Sequence, residues 1–408
     1  MDPYEFRNSI PLLRNNPDIV YLDSATTTLI PDTVIQRMKE FYEEIGVIPN
    51  RGAYDLVLQS NKTLNKVRNS VSNFFNVDFN RIAFTTSTSH GSATAIAVTN
   101  LTKKDRVLFA SNLHNSSFLN WFRFVQKNSI NFDFIKLNKD GQVLIDDLED
   151  KISLKIPGRT IVVLDHAPMG FGTLLNLNVA SEVIHNTKDS YLFLDATRTA
   201  GLVDLDISRE NIDYLVCQSH VGFFAPPGTG ILIVPEEVNG EPCYIGSGSV
   251  IDTSKEYYHL SPYPNSVEID SVNIGGLVGL EAGIKLLNEI GINEIRNHCM
   301  KLIEIFCKNV EMSDDILLFG SSDPLSRSNL LSIKFKNISC HDLAFYVHEL
   351  GKICVRSGSL CSHLLIREIN SNINNGFTQF SFNYYNTELD LKKAIEILNS
   401  INMKKKEL

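Results

Sequence analysis

The 408-residue chain has no apolar run long enough to cross a bilayer. Its longest, such as 160–164 and 230–234, fall far short of the roughly 20 residues that a membrane helix needs. Residues 1–15 mix acidic, basic and polar side chains without an apolar core, so a secretory signal is not expected and a cytosolic protein is. There is no basic surplus either: the net charge is -9, with both signs interspersed. That excludes the concentrated basic face by which proteins hold duplex nucleic acid. A short basic cluster, 404–406, reads as a solvated, frayed end. The seven cysteines (Cys217, Cys243, Cys299, Cys307, Cys340, Cys354 and Cys361) are odd in number and form no C-x-x-C pair. This argues against a zinc site or a disulfide framework, and most are expected as buried thiols. No internal repeat or low-complexity linker is present.

What the chain does have is material for a large core. With 43% hydrophobic and 21% charged residues, it suits two domains, or one large domain with a satellite. Over 31–46, Val34, Ile35, Met38, Phe41, Tyr42 and Ile45 recur at helical spacing after a Pro-Asp start, and Gly46 closes the helix. Short β-rich runs follow at 106–110, 131–137, 160–166, 191–196, 214–219 and 230–234, several almost continuously apolar and separated by helix-compatible stretches. Such strands imply an α/β fold with a mostly parallel sheet covered on both faces. Ligands then collect beyond the carboxyl ends of the strands, which draws attention to Asp165, His166, Asp195, Ser219 and His220. A helix is expected over 275–290, where Leu277, Leu280, Ile284 and Leu287 share a face. From about 293 a helix, strands at 330–335 and 379–384, and a last helix near 388–398 read as a smaller α+β domain.

Three segments carry a resemblance. They are Tyr-Leu-Asp-Ser-Ala-Thr-Thr-Thr-Leu-Ile-Pro at 21–31, Asn50-Arg51-Gly52, and 213–230, which includes Ser219-His220-Val221-Gly222 and Pro227-Gly228-Thr229-Gly230. In order and spacing they resemble the cysteine desulfurases of the class V aminotransferase family, over about residues 20–400. The resemblance implies the pyridoxal-phosphate (PLP) fold type I. It divides the chain into an N-terminal segment, 1–20, that joins the small domain, a large domain, 21–290, and a small C-terminal domain, 291–408.

The site residues follow by the same resemblance. Thr88 and Ser89, at a helix start after a strand, are the phosphate ligands, although they would equally serve as an ordinary helix cap. His114 stacks on the pyridine ring, or is merely structural. Asp195 pairs with the ring nitrogen and so lets the ring act as an electron sink, or caps a helix. Ser219 is placed with the cofactor contacts, and Ser271 reaches the phosphate of a neighbouring subunit, which implies a homodimer. Asn50 stands where the family has a histidine, on the substrate side. Cys361, in Arg356-Ser357-Gly358-Ser359-Leu360-Cys361, matches the cysteine that attacks the substrate sulfur and passes it to an acceptor protein. Arg356 would favour its thiolate, and a buried inert thiol is the alternative.

The departures from the family are as informative. Val221 occupies the position of the lysine that links to the cofactor and moves the Cα proton, and an isopropyl group can do neither. Arg198 replaces a glutamine beside the cofactor, Met169 an asparagine at the ring oxygen, and Gln379 the arginine that grips the substrate carboxylate. Losing that charge-assisted contact should cost a few kcal/mol of binding. Three functions are compatible with this pattern. The first is a desulfurase-like protein whose turnover of a small amino-acid substrate is impaired or lost, with PLP non-covalent if bound. The second is a lysine-independent enzyme with His220 as base. The third is a persulfide carrier or scaffold acting through Cys361.

Overall fold

Strands with no polar side left for water must be covered twice, and the chain builds its main sheet this way. The computed structural model describes residues 1–310, 315–321, 323–369 and 376–406. Seven strands form the large sheet: β1 (Ile82–Thr85), β2 (Arg106–Ala110), β3 (Asn131–Ile135), β4 (Thr160–Asp165), β5 (Ser190–Asp195), β6 (Tyr214–Gln218) and β7 (Gly230–Ile233). Their order is β1-β7-β6-β5-β4-β2-β3. β7 runs antiparallel to both neighbours, and the other pairings are parallel. Every residue of β2 and β4 is buried, as two covered faces require. The strands expected at 131–137, 160–166 and 214–219 end one or two residues early, because the polar residues that follow turn away into loops.

Register places Asp165 directly beside Asp195 at the carboxyl ends of β4 and β5. Two buried carboxylates side by side are the main electrostatic demand of the fold. A second such demand is met at the sheet edge by helix Asp55–Phe75, which the sequence pattern did not single out. Its Arg68 forks onto Glu268 at 2.8 and 2.6 Å, both side chains being buried. Glu268 also accepts the amide of Phe84 at 2.7 Å, which fixes β1 just before the turn at Thr85–Thr88.

A smaller antiparallel sheet comprises β8 (Ile316–Phe319), β9 (Leu330–Phe335), β10 (Arg356–Gly358) and β11 (Phe377–Ser381), in the order β8-β9-β11-β10. The strand expected at 379–384 is shifted toward the N-terminus. An asparagine turn ends it, with Asn383 N donating to Asn386 Oδ1 at 2.8 Å. Residues 1–20 pack on this part of the chain: Arg7 pairs with Asp390 at 3.0 Å, and Val20–Tyr21 pairs in parallel with Ile353–Cys354. The last helix, Glu388–Lys406, is longer than expected, and the side chains of 404–406 lie outside the described ones. Among the described residues no helix is long and apolar enough to cross a membrane.

Candidate active site

Asp195 ends β5 with no solvent exposure. Its Oδ1 accepts the amide of Thr197 at 2.9 Å, and its Oδ2 accepts the hydroxyl of Ser117 at 2.6 Å. Ser117 lies in the first turn of helix Asn115–Asn128, for which His114 is the cap residue, its Nδ1 accepting the amide of Ser116 at 3.2 Å. One helix start therefore carries both the expected ring-stacking histidine and a hydroxyl on the carboxylate. Burial, with Arg198 adding to it, pushes His114 down to about 3, so its imidazole is neutral at physiological pH.

Arg198 solves the problem set by the two strand-end acids. Its Nη2 lies 2.5 Å from Asp165 Oδ2 and 3.8 Å from Asp195 Oδ2, while Nε donates to Ala167 O at 3.0 Å. Burial drives the Asp165 carboxyl up to about 7 against the pull of Arg198. Burial by itself would lower the guanidinium, but Asp165 and Asp195 raise it. Asp165 therefore loses its charge on acidification through about pH 7. The triad was not evident from the sequence, although strand-end acids on adjacent strands are a signal that a buried cation must follow.

Thr88 opens helix Thr88–Thr99 and is fully buried, its Oγ1 2.9 Å from that of Thr197. The loop after Asp195 is thus tied to that helix start. Ser89 is exposed at the lip of a cavity of about 630 Å³ that also includes Thr86, His90 and Ser271. Ser219 is buried, and its hydroxyl is committed inward, donating to Pro226 O at 2.6 Å and meeting Thr229 Oγ1. Asn50 is exposed and shares with Ser271 a different cavity, of about 330 Å³. Within one chain, therefore, Asn50 is not brought to Asp195 or Cys361.

His220 is half-buried, its carbonyl accepting from Thr28 N at 2.8 Å. Its Nδ1 is buried without a partner among the described residues, and burial lowers its pKa. Val221 is 3% exposed yet belongs to neither apolar cluster of the core. The loop is fixed immediately after it: Gly222 has φ +90, and a Cβ there would lie 2.0 Å from Ala200 O. No lysine is buried among the described residues.

The remaining part comes from the small sheet. Arg356, on β10, donates from Nη2 to Cys361 Sγ at 3.3 Å and from Nη1 to Thr26 Oγ1 at 3.3 Å. Cys361 is partly exposed and has φ +54. Its carbonyl accepts the amide of Asn115 at 2.8 Å, which pins the loop to the helix that carries His114. His363 braces the same loop between Asn115 Nδ2 at 3.0 Å and Ser359 Oγ at 3.1 Å. Gln379, on β11, pairs across the sheet with Arg356 and with Ser332. It is fully buried and donates from Nε2 to the carbonyl of Met169. Met169 itself sits in an apolar cluster with Ala25, Phe171, Leu330, Leu360, Leu365 and Phe377.

Comparison with known proteins agrees with this architecture. The family model "Aminotransferase class-V" matches residues 20–394. A probable cysteine desulfurase from Methanothermobacter thermautotrophicus is 32% identical over 399 residues, covering 97% of each chain. The apo structure of a cysteine desulfurase from Thermococcus onnurineus NA1 superposes with a TM-score of 0.91 at 24% identity, covering 98% of both chains. A C-DES mutant with one lysine replaced by alanine, solved with glycine covalently linked to its PLP cofactor, superposes with a TM-score of 0.81 at 18% identity, covering 96% of this chain and 98% of that one. The chain therefore belongs to the class V aminotransferase family, and within it resembles the cysteine desulfurases.

Proposed function

We propose that this protein descends from a cysteine desulfurase, has given up lysine-dependent turnover, and keeps a pocket that holds PLP without a covalent link. The observation that carries this reading is Val221, buried beside a strand-end site with no buried lysine among the described residues to replace it. The residues suit the cofactor: Asp195 is a buried carboxylate, His114 a neutral ring, Thr88 and Ser89 a helix start, and His220 Nδ1 a buried polar atom without a partner among the described residues. When bound, PLP supplies an electron sink. The chain's own groups would orient it: Asp195 at the ring nitrogen, His114 on the ring face, and the helix start at the phosphate. The C-DES mutant supports the idea that this fold can retain PLP with an amino acid when a lysine is missing.

Cys361 and Arg356 remain as a sulfur-handling pair for a small amino-acid substrate or a sulfur-acceptor protein. A homodimer with Ser271 reaching the second copy's site fits the exposed Tyr244, Ile251, Tyr257 and Tyr258 on the same part of the chain. The test is gel filtration after incubation with PLP, followed by borohydride reduction and peptide mapping. Retained PLP absorbance, no labelled lysine and no sulfide released from L-cysteine are expected. A PLP-labelled lysine would refute the proposal.

A second reading makes His220 the base of a lysine-independent enzyme, supported by its unpartnered Nδ1 and by burial that favours its neutral form. Cα-proton exchange in pyridoxamine-loaded protein, lost in His220→Ala, is its expected signature; no exchange would remove it.

A further inference from the structure

Leu360 and Cys361 both have φ +54. Left-handed backbone costs energy for any residue with a Cβ, and it stands out for a bulky one. Among the described residues, the other non-glycine positions with positive φ are asparagines and aspartates, which tolerate it, the helix caps Ser129 and Lys352, and Phe224. No other two of them are adjacent in sequence. The strained pair thus falls on the residue that carries the thiol and on the one before it.

Such backbone persists only where its surroundings hold it. Part of the hold is polar: Asn115 N donates to Cys361 O at 2.8 Å, Ser362 N to Ser359 O at 2.9 Å, and Arg356 Nη2 to Cys361 Sγ at 3.3 Å. Arg356 and Cys361 are both partly exposed, so water can replace what they give each other at small net cost. The Leu360 side chain has no such exchange. It is 2% exposed and packs in the apolar cluster with Met169 and Phe171, from the loop after β4, and with Leu330 and Phe377, from β9 and β11. Leaving that seat would return its whole apolar surface to water. The burial of one side chain therefore holds two residues in a conformation that neither favours, and so aims Cys361 at Arg356. Once Leu360 withdraws, both residues can relax to negative φ, which turns the Cα–Cβ bond of Cys361 and takes the thiol off the guanidinium.

We infer that the Cys361 loop is a strained arm latched by Leu360: seated, Leu360 holds the thiol against Arg356, and released, it lets the thiol swing out to where an acceptor protein can meet it. The inference deepens the sulfur-handling role proposed for Cys361 and rests on that role alone. Its test needs no cofactor, so it stands or fails apart from the PLP reading. The full chain is alkylated with iodoacetamide and, separately, with a polyethylene-glycol maleimide. Loss of the unmodified Cys361 peptide is followed by mass spectrometry, with the exposed Cys243 as internal reference. The ratio of the maleimide rate to the iodoacetamide rate reports access, because a change in thiolate content alters both rates alike. Leu360→Ala, which empties the seat and keeps the strain, should raise that ratio about tenfold or more. Leu360→Gly empties the same seat but takes positive φ without strain, so its ratio should fall below that of the alanine variant. Leu360→Ile keeps the size and, branched at Cβ, tolerates positive φ less, so it too should raise the ratio in a chain whose folding circular dichroism confirms. An alanine ratio within about twofold of the unmodified chain's, a glycine ratio equal to or above alanine's, or an unchanged isoleucine ratio overturns the inference. Should the two truncated variants not fold, the isoleucine ratio decides alone.

Discussion

Supplying the missing amine is the sharpest perturbation of this pocket. Val221 is 3% exposed, so in Val221→Lys the ammonium would sit near the fully desolvated limit, where burial lowers a lysine by about 3 units or more. At 1.36 kcal/mol per unit, that is about 4 kcal/mol of differential stability. The direction follows from proton binding. The native amine would titrate well below the ~10.4 of the unfolded chain, so as pH falls below that value the unfolded state takes up a proton that the native state does not. The penalty is thus absent in strong alkali, grows on acidification and is complete near neutrality. Relative to the unmodified protein, Val221→Lys should lose about 4 kcal/mol at pH 7 and clearly less at pH 9.5, measured by urea unfolding at both values. Adding PLP at pH 8 should recover part of the loss, and borohydride should fix the cofactor on the peptide containing position 221. A folded variant whose loss of stability does not change with pH, or which carries no label at 221, would show that this side chain does not face the cofactor pocket.

Other consequences are more local. Arg356→Ala removes the cation 3.3 Å from Cys361 Sγ; iodoacetamide alkylation of Cys361, followed by mass spectrometry, should slow several-fold at pH 7, with Arg356→Lys in between. His166 is fully buried, and burial, with Arg296 adding to it, pushes it down to about 4. Because the native state then binds fewer protons than the unfolded one below pH 6.5, this residue should cost about 2.5 kcal/mol at pH 4.5. His166→Gln should therefore flatten the fall in unfolding midpoint between pH 7 and 4.5, and an unchanged slope would contradict that assignment. Glu268→Gln leaves Arg68 buried without its bidentate partner; chemical denaturation should register a loss of roughly 3–5 kcal/mol.

Much of the scaffold could be read in advance because the large sheet is built from strands that are apolar throughout, a pattern that only a doubly covered sheet accommodates. β2, β4 and β7 start where the apolar runs do. Boundaries were less legible where a polar side chain decides them, as with Asn383 and Asn386 ending β11. Helix Asp55–Phe75 was passed over because its inner face includes Ser60 and Arg68, whose burial depends on Val47 and Glu268, partners distant in sequence. The site had the same division. Motif order drew attention to Asp195, Cys361 and Val221. It could not show that Arg198 turns toward Asp165, that Ser219 spends its hydroxyl on Pro226, or that Asn50 faces another cavity.

The substitutions in the pocket are not independent losses. An arginine at 198 would be an uncompensated buried cation, except that two strand-end carboxylates are set beside it. A glutamine at 379 fits because the Met169 carbonyl takes its amide, and Met169 in turn packs with Phe171, Leu360 and Phe377. These two changes are each held by a neighbour, so neither stands alone. It follows that restoring family residues one at a time should not restore turnover. Gln379→Arg would push a guanidinium into the Met169 cluster and leave that carbonyl to a poorer donor geometry. Val221→Lys should therefore recover the covalent link to PLP while sulfide release from L-cysteine stays at background. Sulfide release regained by Val221→Lys alone would mean that the carboxylate end of the site had been intact throughout.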